Sequence, residues 1–290
     1  MIKPLHIQAN AALTPPFGSH SLAAPREAWR LRAAKAGAHQ IGRWYISFCR
    51  KRALKELSSP FDVDITPEIK ARLYPEDNRC EKRALAGVQI WDFEERNFMK
   101  AAISDGAKSN EITPFVFLDV GANVGLYSLF AAHYAKQAQR PINILAVEPD
   151  PENRRRLIDN ARVNKLSLTV WPVAVSDKSE RSSLQNHANN RGEIKLGQDS
   201  DGETVSVTTL TEIITRSELT YIDLMKLDIE GHDLRALKHL FENLKPSLYP
   251  KQLIIETGTP NDIPLTTLCY NRGYVVKGRG RLNLMLERNE

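Results

Sequence analysis

The segment Phe115-Val-Phe-Leu-Asp-Val-Gly-Ala-Asn-Val-Gly125-Leu-Tyr-Ser128 constrains this chain more than any other. Its apolar run, ending in Asp119, reads as a buried strand, and a helix is predicted to open just after Gly125. Gly121 allows a sharp turn without a Cβ penalty, and Gly125 lets the helix begin close to a ligand. The free amides at such a helix start favour a carboxylate or a phosphate.

Around this turn the chain alternates. Strands are predicted at 115–119, 142–148, 168–173, 222–228 and 252–256, with helices near 125–137, 151–163, 208–217 and 232–243. A helix near 263–271 leads to a hairpin, 274–277 with 283–287. The rhythm implies an α/β fold: a doubly wound, mostly parallel sheet closed by an antiparallel C-terminal edge hairpin. The polar stretch 176–207 reads as an inserted loop or hairpin over the site.

The register of the turn bears on its ligand. A dinucleotide turn has GxGxxG, its second glycine making room for the pyrophosphate. Here the pattern is GxxxG, with Ala122 and Asn123 between the glycines and Asp119 directly before them, an acid better suited to a cationic ligand. The second strand ends in Glu148, placed to take the hydroxyls of a ribose, and Pro149 stops the strand there. Together these point to S-adenosylmethionine, with S-adenosylhomocysteine as product. A nucleotide-sugar or NAD ligand, or a purely structural turn, are the alternatives.

A second constellation, Lys226-Leu-Asp-Ile-Glu-Gly-His-Asp233, ends the fourth strand, beside the point where strand order reverses. Asp119 and Asp228 are expected to face one another there. Asp228 is read as holding the cofactor's amino group or orienting an acceptor hydroxyl. Glu230 and His232 are the candidate general bases, since methylation of a hydroxyl requires removal of its proton. Glu256 is a further candidate for holding the acceptor. No HxxxH or DxD-type spacing argues for a metal.

These residues resemble the FkbM family of methyltransferases over roughly 73–287. The resemblance rests on Leu118 through Ser128, Ala146-Val-Glu-Pro-Asp-Pro151, Leu157 through Asn160, Val173-Ala-Val-Ser-Asp177, Lys226-Leu-Asp-Ile-Glu-Gly231 and Ile254-Ile-Glu256. It implies a class I methyltransferase (Rossmann-like) fold with a seven-stranded sheet, and methylation of a hydroxyl, often on a sugar or a polyketide; a lipid-linked oligosaccharide is a further candidate, suggested by the basic amphipathic helix of the N-terminal arm rather than by the resemblance. It also implies that Ser176 or Asp177 lies near the adenine, and that Glu94 or Glu95 is the acid of the helix before the first strand. Cofactor contacts are therefore expected at Asp119, Gly121, Asn123, Gly125, Glu148, Ser176, Asp177 and Asp228. His232 falls at a variable position of the family pattern. The rivals are a nucleic-acid methyltransferase, disfavoured because Asp228-Ile-Glu-Gly stands where a base-stacking aromatic motif would, and a non-catalytic nucleotide-binding module.

Three regions are expected: a basic tail and amphipathic helical arm at 1–59, a helical lead-in at 60–111 and the methyltransferase domain at 112–290. The net charge of +5 is uneven, because residues 1–59 hold ten Lys or Arg against only Glu27 and Glu56. Basicity confined to an arm is weak evidence for a nucleic-acid-binding core, and no nucleic acid is expected as partner. Residues 1–24 read as a flexible tail. In the arm, Ile41, Trp44, Tyr45 and Phe48 form one apolar helical stripe flanked by Arg43, Arg50, Lys51 and Lys55. Three readings fit it: packing on the body or a second subunit, peripheral contact with an anionic membrane, or a transit segment. The scattered Cys49, Cys80 and Cys269 form no CxxC pair, and no secretory signal follows Met1, so a cytoplasmic location is expected.

Overall fold

A computed structural model describes residues 2–8, 13–105, 113–186, 194–197, 203–229, 231–257 and 263–289. The N-terminal part contains strand β1 (Leu5–Ile7), helices α1 (Ala24–Lys35) and α2 (Gln40–Leu54), and the hairpin β2 (Phe61–Thr66) with β3 (Ile69–Leu73). Helices α3 (Arg79–Ala86) and α4 (Phe93–Asp105) follow. The alternating part runs β4 (Phe115–Val120), α5 (Leu126–Gln137), β5 (Ile142–Val147), α6 (Pro151–Val163) and β6 (Leu168–Trp171). Next come β7 (Ala174–Ser176), β8 (Glu180–Asn186), β9 (Ile194–Gly197), β10 (Glu203–Thr209) and α7 (Leu210–Arg216). The chain ends with β11 (Leu224–Leu227), α8 (Asp233–Asn243), β12 (Gln252–Glu256), α9 (Ile263–Tyr270), β13 (Tyr274–Arg279) and β14 (Asn283–Arg288).

The main sheet has the order β1-β6-β5-β4-β11-β12-β14-β13. Strands β6, β5, β4, β11 and β12 are mutually parallel, whereas β14 pairs antiparallel with β12 and with β13. Strand order reverses between β4 and β11, which sets the crevice of a doubly wound fold at their carboxyl ends. Period-two alternation divides the core. Phe115, Phe117, Ile144 and Leu224 pack with α5 and α6 residues such as Leu129, Phe130 and Leu157. Leu118, Val120, Leu145 and Leu227 pack on the opposite face with Ile213, Leu237 and Leu265.

Five expectations change. The sheet has eight strands rather than seven, because Leu5–Ile7 adds antiparallel to β6 with Leu5 opposite Val170. Three residues are too few to display a period, so nothing in the local sequence marks them. The supposed flexible tail is tied elsewhere too: the Gly18 and His20 amides donate to Asp62 Oδ2 at 2.8 and 3.1 Å. That carboxylate also forms a buried pair with Arg72, 2.7 Å away.

The lead-in is not purely helical. The β2–β3 hairpin buries Phe61, Val63, Ile69 and Leu73 in the main core. The insertion after β6 is more than a hairpin, since its described residues build a second sheet in the order β7-β10-β8-β9.

Finally, the arm splits into two helices, and α2 turns the other way round. Ile46, Cys49 and Ala53 face inward, while Ile41, Trp44 and Phe48 are 76, 69 and 45 % exposed. The apolar stripe therefore does not pack on the body. Ile46 and Cys49 pack inward instead, with Ala33 of α1 and Ala86 of α3.

Candidate active site

At the carboxyl end of β4 the chain turns at once, with φ of 74° at Gly121, 52° at Asn123 and 81° at Gly125. Space, as well as conformation, requires the first glycine: a Cβ there would lie 1.9 Å from the Asp228 carbonyl oxygen. Asn123 tolerates its left-handed backbone because asparagine visits that region more readily than most side chains. Its amide donates to Glu148 Oε2 at 2.7 Å, and its Oδ1 accepts from Asn78 Nδ2 at 2.7 Å. Gly125 caps α5 without a side-chain bond, so the first-turn amides of that helix carry its positive end.

The turn forms one wall of a cleft of about 800 Å³. Glu148 stands on that wall, 5 % exposed, with Oε1 accepting from the Asp150 amide at 2.9 Å. Burial, with the Asp150 charge adding to it, pushes its carboxyl up to about 7. Val173, Ala174 and Val175 continue the wall, and they alone of the described residues from 173 to 209 do so.

Asp119 is not on that wall. It is fully buried, and alternation sends it to the face of Phe115 and Phe117, where Ser128 Oγ of α5 donates to Oδ2 at 2.6 Å. Nor does it face Asp228: its register partner in β11 is Lys226, and Gly121 is the residue that abuts Asp228. Burial raises the Asp119 carboxyl, and the Lys226 charge opposes that rise.

Lys226 Nζ donates to the Gly121 carbonyl at 2.8 Å and pairs with Asp228 Oδ2 at 3.0 Å. Burial works against its charge, but Asp228 and Asp119 hold it above the ordinary lysine value. Asp228 lines the cleft. Burial would raise its carboxyl, but Lys226 and a hydrogen bond with Glu256 bring it below the usual range.

The remaining expected residues separate. Ser176 Oγ lies 3.0 Å from His232 Nδ1 and donates to Asp177 Oδ1 at 3.0 Å. This trio stands beyond the cleft wall. His232 precedes α8, and burial with nearby Arg235 lowers its pKa, so it is a hydrogen-bonded loop histidine rather than a group facing the cleft. Glu230 lies outside the described residues.

The cleft is also lined by a group of acids, of which the motifs reveal only a part. Asp92, Glu94, Glu95 and Glu256 line the cleft together with Asp228. Asp92 accepts from Tyr127 Oη at 3.0 Å, and burial raises its carboxyl against that bond. Glu95 accepts from Asn283 Nδ2 at 2.7 Å and is likewise raised by burial. Asp228 and Glu256 are marked in the sequence by the ends of their strands and Glu94 and Glu95 by the family resemblance, whereas Asp92 carries no signal of its own. Asp92 and Asn283 lie 191 positions apart, and no local pattern connects them. Among the described residues no group of three or more His, Cys, Asp or Glu is arranged to hold a metal ion.

Comparison with known proteins gives the family. The family model of the methyltransferase FkbM domain matches residues 119–268. A hexuronic acid methyltransferase of Haloferax volcanii is 24 % identical over 132 residues, covering 45 % of this chain and 52 % of that protein. The chain thus matches about half the length of this curated relative. Among solved structures, the FkbM methyltransferase of Methylobacillus flagellatus is 15 % identical, with a TM-score of 0.39 over 90 % of this chain and 58 % of that one. A ribosomal protein L11 methylase from Lactobacillus delbrueckii is 12 % identical, with a TM-score of 0.41 over 79 % and 99 %. On the match to its domain model, which spans more than half of the sequence, this chain belongs to the FkbM family of methyltransferases.

Proposed function

We propose that the cleft binds S-adenosylmethionine against the 121–125 turn and methylates a hydroxyl of a sugar or similarly polyhydroxylated acceptor held by the opposite wall. The observation that carries this is the bipartite cleft. A glycine turn with a buried carboxylate, Glu148, lines the same cavity as the acids Asp92, Glu95 and Asp228. The turn fits the cofactor, because a side chain at 121 would collide with Asp228 and Glu148 is an acceptor for ribose hydroxyls.

When bound, S-adenosylmethionine supplies a sulfonium methyl that an oxygen nucleophile can accept. The chain's own residues bind, orient and deprotonate. Glu148 holds the ribose, and the turn fixes where the reactive end lies. Asp228, kept ionised by Lys226, orients the acceptor hydroxyl, and Asp92, raised by burial, takes its proton as the new C–O bond forms. A hydroxyl as the methylated group and a glycan as its bearer are supported by the acid-rich wall. The Haloferax volcanii relative, named for a hexuronic acid, points the same way.

The test is calorimetric titration with S-adenosylmethionine and NAD, followed by methyl transfer from labelled cofactor to a panel of sugars. Saturable binding of the first ligand alone, with label appearing in an alkali-stable ether, is expected. Binding of NAD instead, or transfer confined to amines, would overturn the reading.

A further inference from the structure

The cleft has a third side, built by residues outside the matched domain. Arg43 and Arg50 of α2 and Arg79 and Arg83 of α3 line it. Helix α3 is anchored against the cofactor turn by Asn78, which caps it and also bonds Asn123. The arginines therefore belong to the same cavity as the turn.

Among the described residues, Arg43, Arg50 and Arg83 form no salt bridge, and Arg83 is near enough to Asp92 for its charge to act against the rise of that carboxyl. Arg43 Nε donates only to the Ala38 carbonyl, at 2.9 Å. Half-buried Arg50 has only Ser47 Oγ, at 3.4 Å. Burial alone lowers the Arg50 pKa, as expected for a cation without a counter-charge. Nearby Lys82 is lowered by burial and then by Arg50, Arg79 and Lys51, a crowding of like charges. A guanidinium is the side chain best shaped to grip a planar carboxylate or a phosphate. An anion on this side would supply the counter-charge that Arg50 lacks.

We propose that the acceptor carries an anionic group, a phosphate or a carboxylate on its sugar, gripped by Arg50 and Arg83 with Arg43 at the rim. This rests on the reading of the cleft as a sugar-methylating site. It gives the N-terminal arm a direct part in acceptor choice: the arm and α3 supply the cations, and the acids of the cleft meet the acceptor's hydroxyls. Neutral sugars would find only half of the site.

The test uses the full chain, saturated with S-adenosylhomocysteine and titrated calorimetrically at low salt. The ligands are inorganic pyrophosphate, glucuronate and glucose 6-phosphate, with methyl glucoside as the neutral control. At least one anion is expected to bind saturably and more tightly than methyl glucoside, and the anions that bind tell phosphate from carboxylate. R50Q/R83Q is expected to weaken that binding about tenfold or more per arginine, with S-adenosylhomocysteine affinity unchanged as the check on folding. Should the double variant not fold, R43Q alone and the salt dependence of the wild type give the same answer, since screening weakens a charge-read contact. Absence of binding by all three anions overturns the proposal, as does equal binding to R50Q/R83Q and R43Q. So does binding of a short RNA duplex where none of the small anions binds, which would assign the arginines to nucleic acid. Failure to bind S-adenosylhomocysteine would sink the cofactor reading instead, and the anion titration can be run without it.

Discussion

Lys226 Nζ donates to the carbonyl oxygen of Gly121 at 2.8 Å, so a buried ammonium in β11 holds the turn that follows β4. The same ammonium neutralises Asp228 and lies near the buried Asp119. Replacing it by methionine would strand two carboxylates and release the turn. Lys226→Met is expected to lose about 3–5 kcal/mol of stability, read by urea denaturation, together with most S-adenosylhomocysteine affinity. A variant as stable as the wild type would show that this ion cluster does not hold the site.

Glu148 gives a pH dependence. Its carboxyl, raised to about 7, ionises as pH rises through that value, and only the ionised form accepts from both ribose hydroxyls. Cofactor affinity should therefore climb from pH 6 to a plateau above about pH 8, with bound ribose shifting the transition downward. In Glu148→Gln the profile should be flat and affinity lower by about 1.5–3 kcal/mol. Calorimetry across the pH range checks both.

Two glycines separate crowding from conformation. A Cβ at Gly121 meets the Asp228 carbonyl at 1.9 Å, whereas Gly231, with φ of 93°, has nothing within 4 Å. Gly121→Ala must push β4 and β11 apart at their ends and should abolish detectable cofactor binding. Gly231→Ala should cost only its left-handed backbone, about 1 kcal/mol. Similar losses in both would mean that the close approach at Gly121 is unimportant.

Asp92 tests the proton step. Asp92→Asn keeps the bond from Tyr127 and the shape of the wall while removing the base. Turnover should fall by about 10²–10⁴ with cofactor affinity retained. His232→Ala, lost from a side chain beyond the cleft, should reduce turnover far less. The reverse ranking would return the base to His232.

The outward stripe of α2 predicts adsorption to anionic lipid. Trp44 and Phe48 stack at 5.9 Å on the surface, with Lys51 and Arg52 beside them. A cationic helix with an exposed aromatic face suits a negatively charged bilayer interface. The full chain should float with phosphatidylglycerol vesicles and not with neutral ones, and Trp44→Ser/Phe48→Ser should remain in solution. Flotation unchanged by the substitutions would place any membrane contact elsewhere.

The alternating part was legible because its signals are local. The predicted 252–256 strand and 151–163 helix are found with the same ends. Each of the four other predicted strands overlaps its observed counterpart, because parallel strands buried on both faces read as apolar runs between turns. Glu148 was placed on the cleft for the same reason: Pro149 fixes where its strand must stop. Expectation and structure part where a side chain's position depends on distant partners. Asp119 is expected, from its place before the turn, to face Asp228, but one step of alternation turns it toward Ser128. His232 was read as a base from its motif, but its ring is held at Ser176.

By itself, the sequence determined the order of strands and helices, the glycine turn and the acid that closes the second strand. Apolar periodicity, glycine's conformational freedom and proline's rigidity act within a few residues. Only the tertiary structure decided that Leu5–Ile7 completes the sheet, that Lys226 lies beneath the turn, and that Asp92 and the arginines of α2 and α3 close the cleft. Those relations join residues far apart in the chain. They are set by how sheet register, side-chain alternation and helix packing bring the segments together, which no local pattern records.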